Sequence, residues 1–167
     1  MDEVGSLIER FEAETASRKV SVLRELEERA GDERVWPFLM KVAADEAEYD
    51  LARIEALKIM GLKEGEDEEV DRQIGQVIQR ILAADPDDDV RNYAATAASR
   101  YVEVGGVLEE LEKIVLDPDE DVDIRWSAFA SVEEMGPTNQ SKKIMNKALR
   151  DEVFKDYTER VLKTWQV

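Results

Sequence analysis

Apolar residues recur along this chain in short stripes at helical spacing, separated by acidic or glycine-bearing breaks. Val90, Ala94, Ala97 and Tyr101 follow one another at intervals of four, three and four, one face of a 3.6-residue period, and Ile124, Ala128, Ser131 and Met135 repeat it. Further stripes are Leu7, Ile8 and Phe11; Val20, Leu23 and Leu26; Val70, Ile74, Val77, Ile78 and Ile81; and Leu108, Leu111, Ile114 and Val115. Breaks fall at Gly31-Asp32, Gly61, Gly105-Gly106 and Gly136-Pro137. The pattern predicts helix pairs over about 3–30, 32–61, 67–102, 106–136 and 138–166, in a single domain across 1–167. Thr15 and Thr138 are expected to cap helices, and Pro37 to delay or kink one.

The breaks before two stripes carry the same motif. Asp85-Pro86-Asp87-Asp88-Asp89-Val90-Arg91 precedes Ala94; Asp117-Pro118-Asp119-Glu120-Asp121-Val122-Asp123-Ile124-Arg125 precedes Ala128. Aligned on Arg91 and Arg125 the copies lie 34 residues apart, and Ala52, Arg53, Ala56 and Ile59 form a third, weaker copy. A fixed period of this size suggests stacked helical hairpins. Asp-Pro supplies a capping acceptor and a ring whose φ suits the first helical position, so each second helix is expected to start there or just after. The arginine sits beside the apolar face, where its guanidinium can reach an acidic turn or a neighbouring repeat's backbone. Arg18, 35 residues before Arg53, is the expected counterpart in the first pair, and Lys155 falls near that position in the last.

Asp85 to Ala98, and less closely Asp117 to Val132, resemble the HEAT repeat, particularly its bacterial form related to the phycobilin lyase repeats. The resemblance implies an all-α, right-handed α-solenoid of about five antiparallel helix pairs. It also implies that the acidic residue starts the second helix of each pair and that the arginine ties successive repeats together.

Forty Asp and Glu against 23 Lys and Arg give a net charge of −17. That balance disfavours nucleic acid and anionic membranes and favours basic proteins or cations, with solubility or a salty habitat as the plainer cause. Absence of cysteine and histidine excludes disulfides, thiolate catalysis and His-based acid–base chemistry. The opening residues have neither a basic start nor a long apolar run, so a cytoplasmic protein without a signal peptide is expected.

Stacked in register, the turns would align an acidic edge of Asp85, Asp87, Asp88, Asp89, Asp119, Glu120, Asp121 and Asp123. Capping explains one or two carboxylates per turn and leaves an excess. Calcium is disfavoured, because an EF-hand counted from Asp117 would need glycine at Val122 and glutamate at Ala128. No metal or cofactor is expected, and no phosphate loop or nucleophile elbow is present. On the second helices, Arg53, Arg91, Asn92, Arg125, Trp126 and Phe129 are the candidate binding residues; exposed together they would resemble an interface hot spot, whereas aromatics at helical spacing more often pack inside. The expected function is a non-enzymatic adaptor, scaffold or inhibitor that binds a protein through this face, its acidic edge steering a basic partner. Alternatives are a lyase or isomerase subunit acting on a chromophore, which the resemblance raises, or an immunity protein against a basic toxin. A monomer or weak homodimer is expected.

Overall fold

The computed structural model describes residues 2–166. They form ten α-helices and no strand: α1 (Glu3–Ala13), α2 (Ser17–Glu27), α3 (Val35–Ala44), α4 (Asp50–Gly61), α5 (Glu68–Ala84), α6 (Asp88–Ala97), α7 (Val107–Leu116), α8 (Val122–Glu134), α9 (Asn139–Ala148) and α10 (Lys155–Trp165). A 3₁₀ turn over Ala98–Tyr101 extends α6.

Short acceptors start the helices where the chain supplies them. Asp67 accepts from the Val70 amide (3.1 Å), Asp87 from Val90 (2.9 Å), Asp121 from Asp123 (2.9 Å) and Thr138 from Ser141 (3.1 Å). α6 therefore begins three residues after Asp85, which is freed for the turn described below. Pro37 neither delays nor breaks α3, since it is the third residue of that helix, where no intrahelical partner for its missing N–H exists. Thr15 does not cap α2, whose cap position is held by Ala16, with no side-chain bond.

Each odd-numbered helix packs on the even-numbered helix that follows it, and α2, α4, α6 and α8 also pack on one another in that order. α3, α5, α7 and α9 make a second such series. Small residues permit the close approach within the even series: Ala52, Ala56, Ala94, Ala95, Ala97 and Ala128 are all buried. A Cβ on Gly61 would lie 3.1 Å from the Ala97 backbone, so α4 ends against α6 at a glycine. α10 joins through aromatic rings: Phe129 of α8 stacks on Phe154 at 4.8 Å, and Tyr157 meets Phe129 edge-on at 5.7 Å. The apolar stripes are the core, with Leu23, Leu26, Leu39, Leu57, Ile74, Ile78, Leu111 and Phe154 closed to solvent.

One position works against its own backbone. Ala16 holds φ at 47° and ψ at −127°, a conformation that favours glycine. Such strain costs about 1–3 kcal/mol, against which glycine forfeits about 0.4–1 kcal/mol through its freer unfolded chain. Ala16→Gly is expected to raise the unfolding free energy by about 1 kcal/mol in urea denaturation; a loss would contradict the strain.

Candidate functional site

Four turns that lead into even helices share one construction. An aspartate one residue after the odd helix, or three after α9, accepts the amide two residues on: Asp45 from Ala47 (3.0 Å), Asp85 from Asp87 (3.1 Å), Asp117 from Asp119 (2.9 Å) and Asp151 from Val153 (2.9 Å). Each turn thus folds on its own carboxylate.

An arginine on the even helix then fastens its turn in two directions. Arg53 Nε donates to the Ala43 carbonyl (3.0 Å), and both Nη atoms reach the Asp85 carboxylate. Arg91 Nε donates to the Leu82 carbonyl (3.2 Å), and its Nη atoms reach Glu120. Arg125 donates to the Val115 carbonyl from Nε (3.2 Å) and Nη2 (2.7 Å), and Nη2 also reaches Asp151. Ala43, Leu82 and Val115 lie in the last turns of α3, α5 and α7, where carbonyls have no partner in their own helix. Each guanidinium therefore satisfies the helix before it and grips the turn after it. At Arg53 and Arg91 the grip on the carboxylate is forked, the stronger form of a charge-assisted bond.

The cation in the first pair is Lys19, not Arg18. Its Nζ bonds Glu48 at 2.7 and 2.8 Å and lies 4.6 Å from the Phe11 ring centroid. Arg18 is exposed and approaches only Glu14, at 3.8 Å. Lys155 is exposed as well. The receiving carboxylate comes in two forms. From aspartate to arginine the turns before α4 and α8 span eight residues and the turn before α6 spans six. In the longer turns Glu48 and Glu120, three residues after the turn aspartate, receive the cation and also accept the next amide, from Tyr49 (2.7 Å) and Asp121 (2.9 Å). Elsewhere the turn aspartate itself, Asp85 or Asp151, does both jobs.

The clasps fix where the candidate binding residues lie. Arg53 and Arg125 do tie successive turns together, and for that reason they are buried and closed to a partner. Phe129 is buried between α8 and the Phe154 ring. Trp126 is half-buried, its ring 4.6 Å from Phe154 and 5.6 Å from Tyr157. Arg91 is partly covered by its clasp, and Asn92 accepts from the Ser127 hydroxyl at 2.5 Å. On the acidic edge, Asp85, Asp87, Glu120 and Asp121 are occupied by the clasps and caps. Asp88, Asp89, Asp119 and Asp123 remain exposed, Asp88 lying 3.6 Å from Arg91. Exposed aliphatic residues occur at three of the turns that lead into even helices: Val122 between Asp119 and Asp123 at the start of α8, Leu51 at the start of α4 and Val153 before α10. Sequence reasoning missed these three, because an apolar residue in an acidic turn reads as part of the buried stripe.

The clasps set the electrostatics. The Arg91 bond holds the Glu120 carboxyl below the usual range, outweighing the upward push of burial. At Asp151 burial pushes upward, and the bonds from Arg125 and the Val153 amide outweigh it, so that its carboxyl is also lowered. At the chain's other end Arg34 bonds both Asp2 and Asp32 and draws each down to about 2. Among the described residues no group of three or more acidic side chains converges to hold a metal ion, and no helix is long and apolar enough to cross a membrane. Comparison with protein families, curated proteins and solved structures returned no match.

Replacing Arg53 with methionine leaves the Asp85 carboxylate, 3% exposed, without its cation. Arg53→Met is expected to cost about 3–5 kcal/mol in urea denaturation, and Arg18→Met less than about 0.5. The acid limb of stability carries a second expectation. A lowered carboxyl contributes stability above its ordinary value, 4.5 for Glu120, and loses it as pH falls through the folded value. Glu120→Gln should therefore flatten the fall in stability below pH 4.5 and leave the neutral-to-basic slope unchanged; an unaltered acid limb would contradict the clasp at Arg91.

Proposed function

We propose that this chain is a HEAT-like, right-handed α-solenoid of five helix pairs that serves as a non-enzymatic protein-binding module. Its binding surface is the edge formed by the turns that lead into the even helices. The pairwise packing of odd on even helices and the two stacked series support the solenoid. Support for the edge comes from a single observation: after the clasps and caps have taken their carboxylates, exposed Asp88, Asp89, Asp119 and Asp123 remain, with exposed Val122 among them and exposed Leu51 and Val153 at the turns on either side. The clasps from Arg53, Arg91 and Arg125 make these turns successive neighbours. Carboxylates steer and orient a basic partner, while aliphatic side chains among them supply contact that charge alone does not. The second-helix face contributes Asn92 and the open parts of Arg91 and Trp126 at most, since Arg53, Arg125 and Phe129 are committed to the interior.

Affinity capture of a partner by three forms of the protein tests this reading. Asp89→Lys with Asp123→Lys should lose a basic partner, and the loss should mimic that produced by raising the salt concentration. Glu9→Lys with Glu134→Lys, an equal change of charge at exposed positions away from the edge, should retain it. Equal behaviour of the two folded variants would overturn the edge as the binding surface.

A further inference from the structure

A cleft of about 690 Å³ opens on the side where even helices lead into odd ones, between the α2–α3 and α4–α5 connections. Its apolar floor is the half-buried ring of Trp36, with Ile59 and Val70 beside it. Leu62 also lines it and is 74% exposed, the most open of the large apolar side chains among the described residues. Its exposure exceeds that of Leu51, at 51% the next most open.

Carboxylates ring this apolar floor. Two are already committed: Asp32 to Arg34 and Asp67 to the Val70 amide. Lys63, buried at the base, is committed too, with Nζ 3.1 Å from Asp71 and 3.2 Å from the Gly65 carbonyl. Glu27, Glu33, Glu64 and Glu66 are exposed at the rim and, among the described residues, pair with no cation. An apolar strip between unpaired carboxylates on facing connections complements an ion whose charges are separated by a hydrocarbon stem. A compact metal ion has no converging ligand set here.

We propose that this cleft binds a linear aliphatic polyamine. Its ammonium groups lie on Glu64 and Glu66 of one connection and on Glu27 and Glu33 of the other, and its methylenes lie on Trp36, Leu62 and Val70. The volume is that of a small-molecule site, and the Lys63 ammonium, 5.6 Å from the Trp36 ring and paired with Asp71, leaves the rim carboxylates to a ligand's ammonium groups. The site is separate from the acidic edge, so it stands whether or not that edge binds a protein.

Calorimetric titration of the full chain with spermidine, at fixed ionic strength, is the test. The expected result is saturable one-to-one binding, with chemical-shift changes at the Trp36 indole and the Gly65 amide and none at Gly136. Glu64→Gln with Glu66→Gln should weaken it about tenfold, and Leu62→Ser about threefold, both at exposed positions that leave the fold intact by circular dichroism. Magnesium that binds equally well, many weak sites, or affinity unchanged in both variants would overturn the proposal. A lysine-bearing peptide that occupies the cleft more tightly than spermidine would also overturn it and make the cleft a protein-docking site.

Discussion

The structure depends on where the guanidinium groups of Arg53, Arg91 and Arg125 go. A helix of about ten residues leaves its last carbonyls unpaired, and a tight turn leaves amides unpaired; both are costly where the chain packs closely. The arginine meets the first need through its Nε donor and the second indirectly, by fixing the carboxylate around which the turn is folded. Lysine lacks the fork that makes this possible, and at Lys19 it binds a carboxylate and rests over a ring without reaching a carbonyl. The planar, permanently charged group holds an ion pair that is almost fully withdrawn from water at Arg53 and Asp85. Desolvation of that pair is tolerable because every donor direction used ends on an oxygen.

The same economy explains much of the acidity. An aspartate to fold the turn, a carboxylate to receive the cation and an aspartate to cap the next helix are three separate demands, and the turn before α8 fills them with Asp117, Glu120 and Asp121. The turn before α6 fills them with two residues, because Asp85 both folds the turn and receives Arg53, while Asp87 caps. What remains after this subtraction is smaller than the raw count of carboxylates, and it is the remainder, not the count, that bears on binding.

The helices and their buried faces were legible in the sequence because apolar spacing and the positions of Gly61, Gly136 and Thr138 agree with one another. So was the tie between Arg91 and an acidic turn. Legibility ended where a residue type admits two fates. Arginine and aromatic side chains at the edge of a stripe describe an interface hot spot and a satisfied interior equally well, and only burial at Arg53, Arg125 and Phe129 separates the two. At the first pair the sequence named Arg18, where the structure uses the neighbouring Lys19. The cleft beneath Leu62 was invisible because its two walls lie about thirty residues apart in the chain.

A double-mutant cycle on Arg53 and Asp85 tests the clasp most directly, with Arg53→Met, Asp85→Ala and the double variant measured by urea denaturation. If the clasp joins successive turns as described, each single variant is strongly destabilised and the double variant recovers part of the loss, with a coupling of at least about 1 kcal/mol. Single effects that simply add would mean that the two side chains act independently, and the account of the turns would fail.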